Sequence, residues 1–254
     1  MRAVPISPPI PPGRLAAAAF LRYTERLLRG HFVAVHWRHA GPVKDPGPVL
    51  FTANHTNWWD GFLAYLAGAR LGRRFFVLME ESNLDRYRWF RRVGALPLSR
   101  TSPVRAWRQL RSAALGLEAE NGLWMFPQGR RRPPGETPIR SESGAARLAL
   151  AAKQPARICP VAFRYTYLGE DRPEAFILIG APFPVDRTLP SRALAERIGR
   201  EMDRTVDELD THVAVEDLAW FTPLLEGRLS MNKRLDRLRH RLGFLPGPFN
   251  PRNG

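Results

Sequence analysis

Apolar and polar positions along the 254 residues switch repeatedly between a helical and a strand period. Residues 14–29 set Arg22, Glu25, Arg26 and Arg29 on one helical face opposite Phe20, Leu21, Leu27 and Leu28, which predicts an amphipathic helix stopped by Gly30. Phe32, Val33, Val35 and Trp37 predict a strand. The turn-forming segment GPVKDPGP then leads to a short apolar run over 49–53, the pattern of a buried strand. Helix is expected over 58–71, strand over 74–79, helix over 82–92, strand over 95–98, helix over 103–120 and strand over 123–126. Residues 127–143 form a loop too long for a simple connector, which marks it as a functional candidate. A helix over 144–152, strands over 157–165 and 175–179, and a helical pattern from 191 onward complete the chain.

Such alternation predicts an α/β fold: a single-domain, mostly parallel or mixed sheet flanked by helices, with its chemistry on loops at the carboxyl ends of strands. The expected organisation is a Pro-rich lead over 1–13, one domain over 14–225 with its motif-bearing core at 49–165, and a basic C-terminal helix and tail over 226–254. In that last segment Met231, Leu235, Leu238 and Leu242 form a stripe amid arginines.

Composition narrows the partners. Lys plus Arg number 39 against 24 Asp plus Glu, a formal charge of +15, and only three of the cations are lysines. Guanidinium is a forked, permanently charged donor suited to phosphate and carboxylate, so lipid headgroups, a phosphorylated substrate or nucleic acid are the partners to weigh against mere surface solvation. The single Cys159 excludes an internal disulfide and any multi-cysteine metal site, and no metal or cofactor is expected. No apolar run reaches the ~18 residues a membrane span needs, and the opening MRAVPISPPIPPGR lacks the apolar core of a secretory signal.

The segment NHTNWWDG places His55 and Asp60 five apart directly after a strand. Spacing alone is weak, since random placement of the chain's histidines and aspartates gives about 0.24 such pairs, and a second one, His212 with Asp217, is present. On a regular helix residues five apart lie about 140° apart and face different ways, so a turn must intervene for them to meet. His55 has such a turn in 54–57. His212 follows a long helical run and is expected to be a surface or packing residue. A His–carboxylate pair suits removal of a proton from a poor nucleophile, the imidazole taking the proton and the carboxylate fixing its tautomer. No G-x-S-x-G segment is present, and Cys159 lies in the apolar ICPVAF, so the nucleophile is expected to be a substrate hydroxyl.

Three further segments follow in order. Together with Asn54, His55 and Asp60 they resemble the glycerolipid acyltransferase family that includes lysophosphatidate acyltransferases, over roughly 55–162. The family's second block is similar to GALPLSR, which ends at Arg100. Its third, Phe-Pro-Glu-Gly-Thr-Arg-Ser, resembles Phe126, Pro127, Gln128, Gly129, Arg130, Arg131 and Arg132; its fourth resembles Ile158, Pro160 and Val161. The resemblance implies that His55 is the general base, Asp60 its orienter, and Arg100 and Arg131 the groups that hold acceptor phosphate. The third block departs from the family at Gln128, Arg130 and Arg132. A neutral Gln128 can still hydrogen-bond an acceptor hydroxyl but cannot be a base, while the added arginines make the loop more cationic. Backbone N–H groups near Gly129 are expected to stabilise an oxyanion.

The activity so implied moves a fatty acyl group from acyl-CoA or an acyl carrier protein, as co-substrate, to a hydroxyl of a lysophospholipid or related lipid. An aminolipid or glycosylated terpenoid is the alternative acceptor. The expected workplace is the cytoplasmic face of a membrane with anionic lipids, held peripherally by the basic C-terminal segment, and with packing on the domain favoured for the 14–29 helix. A basic nucleic-acid-binding protein is the rival class, but the arginines are scattered and no recognition module is visible, so no nucleic acid is expected. The sequence leaves the oligomeric state open.

Overall fold

The structure, a computed structural model, describes residues 12–41, 47–154 and 156–228. Among these residues nine strands form one sheet: β1 (Ala34–His39), β2 (Val49–Ala53), β3 (Arg74–Glu80), β4 (Ala95–Leu98), β5 (Asn121–Met125), β6 (Arg157–Thr166), β7 (Glu174–Ile179), β8 (Phe183–Pro184) and β9 (Thr222–Glu226). Their order is β4-β3-β5-β2-β6-β7-β1-β9, with β8 beside β6. Neighbours run parallel from β4 through β6, and β1 is parallel to β7. The β6–β7, β1–β9 and β6–β8 pairs are antiparallel. The expected α/β fold with a mixed sheet is therefore what forms.

Among the described residues six α-helices cover the sheet: α1 (Arg14–His31), α2 (Asp60–Arg70), α3 (Glu81–Arg86), α4 (Pro103–Leu115), α5 (Ser143–Ala151) and α6 (Ser191–Ala214). Successive strand residues point to opposite faces, and both faces are buried. Val49, Phe51, Trp124, Cys159 and Ile177 pack toward α1 and α2, whereas Leu50, Leu123, Ile158 and Leu178 pack toward α4, α5 and α6. That double covering explains why β2 reads as an uninterrupted VLFTA, with every residue buried. Helix α1 uses its apolar face inward, through Phe20 and Leu28. No helix among the described residues is long and apolar enough to cross a membrane.

Several boundaries differ from the sequence expectation. The helix expected over 82–92 is α3 followed by a 3-10 turn over Arg88–Val93 that ends on Gly94 with φ +99°. Helix α4 stops at Leu115, capped by Gly116, rather than reaching 120. The helical pattern from 191 holds through Ala214, but 222–226 form β9, an edge strand whose Pro223 needs no ladder partner for the N–H it lacks. The Met231–Leu242 stripe lies outside the described residues.

Candidate active site

The parallel strands β2, β5 and β6 deliver three segments to one edge of the sheet, and the site is built where they leave it. Asn54 continues the β2–β6 pairing with its side chain: Nδ2 donates to Phe163 O at 3.0 Å and Oδ1 accepts from Phe163 N at 2.7 Å. The main chain then turns through 55–59, and Asp60 opens α2.

Asp60 is fully buried. Its Oδ2 accepts from His55 Nδ1, Thr56 N and Asn57 N, each at 2.8 Å, and its Oδ1 accepts from the Tyr165 hydroxyl at 2.5 Å. Four donors and the positive end of the α2 dipole replace the water lost on burial. With Nδ1 facing Asp60, the proton of neutral His55 belongs on Nδ1, leaving Nε2 as the acceptor. The ring is 26% exposed, and Nε2 has no hydrogen-bond partner among the described residues.

The segment after β5 holds His55 at three points. Gln128 Oε1 accepts its N–H at 2.7 Å, Arg132 N donates to its carbonyl at 2.7 Å, and the Phe126 ring lies 4.5 Å from the imidazole. Gly129 makes the turn possible: its φ is +71°, and a Cβ there would collide with the Glu142 carboxylate. The N–H of Gly129 donates to Phe126 O at 3.2 Å, which engages one of the amides expected to face an oxyanion. The Arg130 and Arg131 amides have no backbone partner among the described residues.

Arg100, leaving β4, donates its guanidinium to Gly129 O and so joins the same loop. Arg130 and Arg131 are exposed on it, and Arg132 pairs with Glu136 at 3.0 Å. The structure thus brings His55, Asp60, Gln128, Gly129 and Arg100 into one connected set, with Arg130 and Arg131 at its rim. Gln128, expected to meet an acceptor hydroxyl, uses its Oε1 on the His55 main chain. Tyr165 was invisible in the sequence, because it lies 105 residues from Asp60 with no spacing to betray it. Burial first, and the Asp60 charge after it, push its phenol well above the usual tyrosine value, so it remains a donor.

The second five-residue pair corrects the geometric expectation. His212 Nδ1 does meet Asp217 Oδ2, at 3.0 Å, because α6 ends at Ala214 and Glu216, with φ +53°, folds the chain back. The pair nevertheless closes a helix end: Asp217 N donates to His212 O, and the imidazole stacks on Trp220 with centroids 3.8 Å apart. A third pair, His36 with Glu174 at 2.5 Å, is buried between β1 and β7. The first of these two sits at the end of α6, and the second is buried within the sheet. Cys159 is fully buried and its thiol is pushed up to about 12 by that burial, as suits a core residue rather than a nucleophile. No group of three or more His, Cys, Asp or Glu among the described residues could hold a metal ion.

The sequence matches the acyltransferase family over residues 34–164. No curated protein matches the chain. Among solved structures, the crystal structure of the 1-acyl-sn-glycerophosphate (LPA) acyltransferase PlsC from Thermotoga maritima is similar, with a TM-score of 0.57 and 18% identity over 76% of this chain and 79% of that one. That likeness is one of fold. His55, Asp60, Gln128 and Gly129 all fall inside the matched segment.

Proposed function

We propose, from the premise that the chain belongs to the acyltransferase family, that it moves a fatty acyl group from an acyl-CoA or acyl carrier protein thioester to a hydroxyl of a lysophospholipid or related lipid, with His55 as general base. The observation that carries this reading is the unpartnered Nε2 of a histidine whose other nitrogen is fixed on a fully buried carboxylate. Nε2 takes the acceptor's hydroxyl proton as its oxygen attacks the thioester carbonyl. The C–O bond forms, the C–S bond then breaks, and the departing thiolate recovers the proton from the imidazolium. Asp60 stabilises that imidazolium while it exists.

The acceptor's anionic headgroup is assigned to the rim. Arg131 and Arg130 are exposed beside His55, and Arg100 reaches the same loop. Forked guanidinium donors fit phosphate oxygens there. The departure at Gln128 does not weaken a phosphate-bearing acceptor, since its Oε1 serves the His55 N–H, a task a glutamate oxygen performs equally. A basic nucleic-acid-binding role has no comparable support, because the arrangement around His55 is a proton-transfer site.

The test is an acceptor panel. Purified full-length protein is incubated with a long-chain acyl-CoA and, separately, lysophosphatidate, lysophosphatidylglycerol, an aminolipid and a glycosylated terpenoid, with products read by mass spectrometry. A mass gain of one acyl group on a phosphate-bearing acceptor supports the proposal. Thioester hydrolysis alone, with no acylated lipid in any arm, would contradict it.

A further inference from the structure

Among the described residues, the large aromatic side chains exposed on the side of the sheet that α1 and α2 cover include Tyr23 at 51%, Trp58 at 57% and Trp89 at 43%. Single exposed rings are ordinary, so contiguity decides. Tyr23 and Trp89 both pack on the inward ring of Phe20, at 6.0 and 5.0 Å, and Trp58 packs on Phe62 at 4.8 Å, itself 6.1 Å from Phe20. Two buried rings, Phe20 and Phe62, therefore anchor these three exposed ones in one patch. Trp58 stands three residues beyond His55, which puts that patch at the approach to the site.

The unpaired charges around these rings are of one sign. Arg22, Arg26, Arg88 and Arg92 are exposed and carry no ion pair among the described residues, while Arg91 is matched by Asp85. Arg22, Arg26 and Arg29 line a groove of about 340 Å³ together with Glu25, Gly227 and Arg228, and the one acid in it is engaged by Arg70 at 2.8 Å. The apolar stripe of α1 is not available to lipid. Phe20 and Leu28 are buried against the domain, and the Tyr65 hydroxyl donates to Ala17 O at 2.9 Å.

We propose that the Tyr23–Trp58–Trp89 patch and its flanking arginines form the face by which the folded domain docks on an anionic bilayer, with the rings at headgroup depth and Arg22, Arg26 and Arg88 on lipid phosphates. Amphipathic rings beside unpaired arginines are the chemistry of the membrane–water interface, and the net charge complements anionic lipid. The docking inference rests on the acyl-transfer reading above, whose acceptor is itself a membrane lipid, and it places the mouth of the His55 site against the surface that holds that acceptor.

The experiment is sedimentation of the full chain with vesicles of phosphatidylcholine alone or with 30% phosphatidylglycerol. An arginine near an anionic surface contributes about fivefold to partitioning, so Arg22→Gln/Arg26→Gln/Arg88→Gln is expected to bind the anionic vesicles about a hundredfold more weakly. A control of equal charge on the opposite face, Arg192→Gln/Arg200→Gln/Arg204→Gln, is expected to bind far more nearly as the unaltered chain does. Tyr23→Ser/Trp58→Ser is expected to lose about tenfold. Equal weakening by the two arginine sets, or binding unchanged in the first set, would overturn the docking face. So would unaltered protein that ignores both vesicles but binds an oligonucleotide. Acyl transfer to a water-soluble short-chain acceptor without vesicles is measured in parallel. Retained transfer in the Arg22/Arg26/Arg88 variant together with unweakened vesicle binding sinks the docking face alone, whereas absence of transfer in every protein sinks the acyl-transfer reading.

Discussion

Tyr165, at the end of β6, donates its hydroxyl to Asp60 Oδ1 at 2.5 Å, and through that carboxylate it acts on a histidine it does not touch. Oδ2, held by the Thr56 and Asn57 amides, accepts from His55 Nδ1, and Tyr165 supplies the one side-chain donor that fixes the other oxygen, Oδ1. Tyr165→Phe is expected to remain folded but to lose about 1–3 kcal/mol of stability, the cost of a buried carboxylate oxygen left without its donor. If half of that bears on the transition state, the maximal rate falls about two- to twelvefold with little change in the acceptor's KM. Urea unfolding and steady-state kinetics on the same preparation check both.

Gln128 tests whether the third block holds the base or reads the substrate. Its Oε1 accepts the His55 N–H at 2.7 Å. Gln128→Glu keeps an acceptor oxygen in place and is expected to acylate at a rate of the same order. Gln128→Leu leaves a part-buried N–H unpaired, at a cost of about 1–3 kcal/mol, and is expected to lose tenfold or more in rate. A Glu variant as impaired as the Leu variant would show that the neutral amide has another task.

Much of this was legible in advance. The buried run over 49–53, the long loop after β5 and the His55–Asp60 pair emerged from periodicity and spacing, because strands covered on both faces and a strand-to-helix turn leave local marks. Long-range partners left none. Asn54 pairing with the Phe163 peptide, Tyr165 reaching Asp60 and Gln128 reaching the His55 main chain are all set by sheet order rather than by neighbours in sequence. Strand β9 was missed because TPLLE is short and interrupted by Pro223, and it is defined by β1 rather than by its own pattern. The His212–Asp217 contact is hidden for a different reason: the helix ends between the two residues, at Ala214, so regular-helix geometry does not apply, though His212 packs on Trp220.

Cys159 is expected to contribute to a loss of stability at alkaline pH. Burial lifts its thiol from an ordinary 9.0 to about 12, so the unfolded chain gives up that proton first. The stability it contributes is whole below pH 9.0 and is lost as pH rises toward 12, at about 1.4 kcal/mol per pH unit for one proton. Tyr165 adds to the loss from pH 10.0 upward, by the same sign. Urea midpoints at pH 8.5 and 10.5 should therefore fall by more in the unaltered chain than in Cys159→Ala; equal falls would remove Cys159 from the account.

The central claim is that His55, and no other histidine paired five residues from an aspartate, takes the acceptor's proton. Acyl transfer from a radiolabelled acyl-CoA to the best acceptor of the panel is measured for the unaltered chain, His55→Ala and His212→Ala, each matched for fold by circular dichroism. General-base assistance amounts to about 10² to 10⁴ in rate, so His55→Ala is expected to lose at least a hundredfold while His212→Ala stays within about threefold. Near-normal transfer by folded His55→Ala would contradict the account.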